Sequence, residues 1–302
     1  MKRIQRFFIL CMAAILMVSL AACAPAESGK EQDNYGVTVT GTSSIGSCLD
    51  VEIEYRTTKP VPEGTPAETT KTLTINGETH TLHFQENKWT WDRYEFVSSD
   101  GKINALYWIE GTLAQIDINE VDMTQFANMD QAQLTEWFHN FVSQYMQEDW
   151  STYQESHLTS YEKGGSHKSC KIFKADFAED ELLEERRINY RKKYLGTNTS
   201  DNFNCYIDFE WNKITIQFSR HKFDNFTTDI DIEAARKAAS DYIQAHMLEG
   251  FTFNNVIWAN EMLQYEEDNL ILYYLAEIHY TDTINGEDGA CLYQIVVDIP
   301  DV

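Results

Sequence analysis

His80 and His83 are the closest pair among the eight histidines. The hairpin around them predicts a strand, and residues three apart on a strand point to opposite faces, so one metal ion is a poor fit for both. His157, His167 and Cys170 surround Gly164-Gly165 with donors that suit a soft metal, yet as loop residues they are read as solvated. The run Asp282 to Gly289 is rich in oxygen donors of the kind a hard cation takes. Its spacing is not that of an EF-hand loop, and Asp, Asn and Gly are also ordinary hairpin residues. No metal or cofactor is expected. Trp89 and Trp91, two apart, share one face of a strand, and with Trp108 they form a candidate ligand platform on which sugar rings would stack. The competing reading places these rings over the core beneath a helix. GxSxG, HExxH, the P-loop and GxGxxG are all missing. A catalytic pair of carboxylates leaves no local signature, so an envelope hydrolase stays as an alternative although no catalytic residue is assigned.

The cysteines carry the sharpest signal. Lys2, Arg3 and Arg6 precede an apolar stretch from Phe7 to Leu20, and Leu20-Ala21-Ala22-Cys23 follows. A positive start, a short apolar core and small residues at the exit describe an export signal, too short for a comfortable membrane span. These last four residues resemble the lipobox of bacterial prolipoproteins, which implies that Cys23 is acylated and becomes the mature N-terminus. Residues 1–22 are then the signal peptide. Residues 23–35, small, polar and charged, read as a flexible tether spanning roughly 20 Å. Two acyl chains give stable anchoring, so the expected address is the extracytoplasmic face of a membrane. Cys48, Cys170, Cys205 and Cys291 remain, without any CxxC. Such a location permits disulfides. Cys205 and Cys291, both in predicted strands, are the first pair to consider, although spacing alone leaves three full connectivities open.

Composition narrows the partners. The net charge of −24 becomes −27 once the signal leaves with its three cations. That argues against nucleic acid, which needs a basic footprint, and against close contact with anionic lipid or wall polymer. Sixteen Tyr, sixteen Phe and seven Trp supply ample core.

These side chains need elements to hold them. Asn76-Gly77 between Thr72–Ile75 and Thr79–Phe84 is a strong two-residue hairpin signal. Further hairpins are predicted at 94–109 and 205–218, and a three-stranded meander over 255–299. Apolar residues at helical spacing, from Leu134 to Met146, predict a helix over Asp130–Gln147, with Asp130 and Gln133 placed as a capping box. A second helix is predicted over Asp231–Glu249, capped by Asp231 and stopped by Gly250. Cys170 to Phe177 reads as a strand, and Glu179 to Tyr194 is ambiguous between helix and strand.

Each half places a hairpin before a helix and strands after it, so the expectation is an internal duplication. The fold class would be α+β: two related modules, each a helix packed on an antiparallel sheet. The first would span 36–196, with an extra N-terminal hairpin region, and the second 203–302. This order is similar to that of PepSY-like and cystatin-like modules, which implies a binding, inhibitory or scaffolding unit. The expected function is therefore a non-catalytic, membrane-anchored binding or scaffolding lipoprotein with a protein, peptide or glycan partner. The main alternative is capture of a glycan or solute.

Overall fold

The computed structural model describes residues 35–42, 47–54, 65–86, 93–224, 230–266 and 269–300. Of these, 53% are strand and 14% helix, and fourteen strands join in one mixed sheet. The expected α+β class, two modules of a helix on an antiparallel sheet, is corrected: the chain is mainly β. The segment ambiguous in sequence between helix and strand is a strand over 181–194. Its charges suit a helix, but burial alternates from 185 to 191, with Arg186, Ile188 and Tyr190 buried on one face.

From one edge the order runs β1 (Val37–Thr42), β14 (Asp288–Asp298), β13 (Asn269–Asp282), β12 (Phe251–Glu266) and β10 (Thr197–Asp208). It continues through β11 (Lys213–Gln217), β6 (Leu113–Ile118), β5 (Ile103–Trp108), β4 (Arg93–Ser98), β3 (Glu78–Gln85) and β2 (Thr70–Ile75). A branch leaves β10 through β9 (Glu181–Tyr194) to β7 (Tyr153–Lys163) and β8 (Ser166–Cys170). The stretch predicted as a strand from Cys170 to Phe177 contributes only Cys170. Neighbours pair antiparallel except β10 and β12, which run parallel and meet only at Asn198–Met262 and Thr199–Leu263.

The β2–β3 turn shows why local sequence suffices for a hairpin. Asn76 and Gly77 both have positive φ, 51° and 84°, the left-handed pair whose twist matches the flanking strands.

Two hydrophobic cores lie on this sheet. The first gathers Leu82, Phe96, Ile116, Phe138, Ile188, Phe203 and Ile216 with their neighbours. Helices α1 (Thr124–Asn128) and α2 (Gln131–Val142) bury Phe126, Leu134, Phe138, Phe141 and Val142 in it. Asp130 and Gln133 complete the capping box in both directions, each bond 2.9 Å long. The fully buried Arg186 donates to the carbonyls of Phe126 and Met129, so charge as well as apolar surface fixes the end of α1.

The second core gathers Val39, Cys48, Leu263, Leu272, Tyr274, Ile278, Cys291, Tyr293 and Ile295. Helix α3 (Ile232–Ala245) packs there through Ile243 and through Ala235 and Ala239, small residues that let its backbone come close. Asp231 caps it by accepting from the Ala234 amide at 2.9 Å. The hairpin 205–218 buries its side chains in the first core, whereas residues 37–39 pack with the second.

Candidate functional site

Strand β10 lends Phe203, Cys205 and Ile207 to the first core and pairs with β12 of the second, and its geometry creates the site. On one side β9 follows it along most of its length. On the other, β12 covers Asn198 and Thr199 while β11 covers Asn204 to Asp208. Residues 200–203 therefore have no strand beside them on that side. The segment leaving β11, Phe218 to Asp224, fills the gap. Asp201, 1% exposed, accepts from the amides of Lys222 (3.2 Å) and Phe223 (2.9 Å), the bonds a neighbouring strand would otherwise supply. Burial pushes the Asp201 carboxyl above the usual carboxylate range, against the pull of those two amides.

Following Ser219, the chain turns through His221, whose φ of 56° is a left-handed value that is uncommon outside glycine. The turn sends neighbouring side chains in different directions. His221 enters a titratable cluster: its Nδ1 lies 3.0 Å from Asp224 and its Nε2 3.4 Å from Glu148. Tyr153 donates to Glu148 at 3.0 Å, and Lys192 pairs with Asp224. Burial raises the Glu148 carboxyl, with His221 and Tyr153 opposing. For Asp224 burial also works upward, but the Lys192 and His221 contacts win and hold it below the usual range.

Arg220 goes the other way, into a cleft of about 360 Å³ between the ends of β4, β5, β11 and β12. Its guanidinium carbon is 3.6 Å from the Trp108 ring centroid, and that of Arg93, directly across the β4–β5 ladder, is 4.8 Å away. Lys222 adds a third cation to the lining, which includes Ser200, Asn202, Gln217, Ser219 and Gln264. Among the described lining residues none is acidic, in a chain where acids outnumber Lys and Arg by 48 to 24. Asn204 donates to Asn202 at 2.7 Å and to Gln217 at 3.0 Å, holding both lining amides in place. The Trp108 indole N–H is buried without a hydrogen-bond partner among the described residues. Two guanidinium groups, a lysine and side-chain amides around one concave polar site are donor types that suit a carboxylate or phosphate group.

Of the residues singled out above, Cys23, Trp89 and Trp91 lie outside the described residues. Trp108 lines the cleft, with the Arg220 guanidinium over its ring. Cys205 is buried in the first core and Cys291 in the second, both as free thiols, so the pair considered first is kept apart by the fold. Cys291 has Cys48 as its neighbour instead. His80 is half-buried and His83 exposed, on opposite faces of β3. His157 and His167 pair with Glu155 and with Glu184 respectively. In the Asp282–Gly289 turn, the Asp282 and Asn285 side chains accept from the amides of Ile284 and Glu287, both at 2.8 Å. No group of three or more His, Cys, Asp or Glu side chains able to hold a metal occurs among the described residues.

Arg93, Arg220 and Lys222 were not singled out from sequence. A usable signal existed, since Arg220-His221-Lys222 is a basic run just after a predicted hairpin in a strongly acidic chain.

No protein-family model, no curated protein and no solved structure matches this chain.

Proposed function

We propose that this chain is a lipid-anchored extracytoplasmic binding protein that captures a small anionic solute, bearing a carboxylate or phosphate, in the Trp108 cleft. The reading rests on one observation: Arg93, Arg220 and Lys222 line a polar cleft without a described acid, on a chain of net charge −24. An acidic surface repels anions at long range, but the Debye length is about 8 Å at physiological salt. The described charges that line the cleft are those of Arg93, Arg220 and Lys222. Arginine suits the task because its planar fork meets an oxyanion with two parallel hydrogen bonds. The Glu148–His221–Asp224 cluster has a different part in this reading. It anchors the turn that presents Arg220, and none of its three members lines the cleft. The address follows from the lipobox resemblance at Leu20-Ala21-Ala22-Cys23.

Two measurements test the two halves of the proposal. A chain spanning Tyr35–Val302 is followed by thermal unfolding with sugar phosphates, uronic acids, di- and tricarboxylates and neutral oligosaccharides. Ligand at a hundred times its dissociation constant adds about 2.7 kcal/mol, a rise of several degrees at this size. The expected result is a rise with one anionic class, lost in Arg220→Ala and weakened by salt. A rise with neutral sugars that survives Arg220→Ala would sink the reading. For the address, a fatty-acid label should enter the full chain and fail to enter Cys23→Ala.

A further inference from the structure

We propose that Cys48 and Cys291 are a disulfide-forming pair that staples the segment Ser47–Glu54 to strand β14. Both side chains are buried in the second core as free thiols, and Cys291 is near enough to Cys48 to act on its titration. The approach is held from both sides. Cys291 and Tyr293 are two apart on β14 and both buried, hence on the same face. The Tyr293 hydroxyl accepts from the Cys48 amide at 2.9 Å and the Leu49 amide at 3.3 Å, and lies 2.9 Å from Ser47 Oγ. Leu49 bridges to Met247, and the Asp50 amide donates to the His246 carbonyl at 2.8 Å. The backbone carrying Cys48 is thus tied to β14 and to the end of α3. The other two described cysteines have no route to this pair: Cys205 is buried in the first core and Cys170 sits on β8, beside the Thr159 and Ile172 carbonyls.

Closing the bridge removes two thiol protons and two electrons. A disulfide of an exchange partner supplies the oxidising equivalents: one thiolate attacks it, a mixed disulfide forms, and the second thiolate displaces the partner as two thiols. In the folded chain burial, aided by Cys291, pushes the Cys48 thiol up to about 12, so little thiolate is present at neutral pH. Exchange therefore belongs to folding, before the second core closes. The inference rests on the extracytoplasmic reading, because bridges persist in oxidising compartments and not in the cytosol.

The test compares the full chain from an exporting bacterial cell with chain that was denatured, reduced and refolded in a mixture of oxidised and reduced glutathione. Free thiols are alkylated and unreduced digests are mapped by mass spectrometry. The expected product in both is a Cys48–Cys291 linked peptide, with Cys170 and Cys205 alkylated. Reduction should then lower the thermal midpoint by about 5–10 °C, with no such drop in Cys48→Ala or Cys291→Ala. Alkylated Cys48 and Cys291 in the refolded chain, or a link from either to Cys170 or Cys205, overturns the pairing. A bridge in the refolded chain but free thiols in the cell-derived chain supports the pairing and overturns the extracytoplasmic address.

Discussion

Asp201 illustrates how much can hang on one side chain. Its carboxyl replaces a missing strand, pairing the two amides that turn the chain from the first core toward the second. Removing it leaves one buried and one part-buried donor unpaired, at about 1–3 kcal/mol for the buried one, partly offset because an ionised buried carboxylate is itself penalised. Asp201→Ala should therefore lower stability by about 2 kcal/mol in urea unfolding. It should also weaken binding of an anionic ligand, since Arg220 loses its support, while Asp201→Asn, keeping one acceptor, should lose less on both counts. Arg186 follows the same logic with opposite charge. It is fully buried, stacks over Phe173 at 4.5 Å and spends its donors on carbonyls around α1. Neither residue was visible as a site in the sequence, because an isolated Asp or Arg looks the same whether its partners are backbone groups or water.

Among the elements, those with local causes were the legible ones. The Asn76-Gly77 hairpin, the 94–109 and 205–218 hairpins, the C-terminal meander and both helix starts are present, since turn and cap chemistry act within a few residues. Asp130→Ala should cost about 1 kcal/mol and speed amide exchange at Gln133, and Asp130→Asn should restore most of the loss. Elements determined by distant partners were misplaced. The apolar stripe predicts that α2 continues to Gln147, yet it ends at Val142, where the next bonds tighten to three-residue spacing. Tyr145 there turns its hydroxyl to the Thr74 carbonyl on β2, at 2.7 Å. Strands β1 and β6 were not anticipated at all. Thr38, Thr40 and Thr42 alternate with small or apolar residues on a strand whose pairing partner, β14, lies some 250 residues away.

At the scale of the whole molecule, acid content and burial pull on stability together. Glu148 and Asp201 have carboxyls raised by burial. Their folded forms bind protons more readily than the unfolded chain, so their contribution is full below the unfolded values of about 4.5 and 3.8 and is lost as pH rises through the folded ones. Stability should thus increase as pH falls from neutral toward those unfolded values, and less so in a Glu148→Gln, Asp201→Asn double variant. Relief of self-repulsion at −24 acts in the same direction and remains in both. Below about pH 4.5 the sign reverses. Glu181, held down to about 2 by hydrogen bonds from Lys174, the Ala178 amide and Lys163, loses its partners on protonation, as does Asp224. Thermal midpoints across pH 3–8 should therefore pass through a maximum, and a monotonic fall from pH 8 to pH 3 would contradict the assignment. The edge position of β1 matters mechanically. Val37 faces Val297 on β14, so the first described strand is laced to the last one. A pull arriving from the N-terminal side along the strand axis loads this ladder in shear, where its bonds resist together rather than one at a time. Should the ladder give way, a Cys48–Cys291 bond would act as a stop, confining the peeled length to the residues before 48 and leaving the Trp108 cleft outside the path of the force.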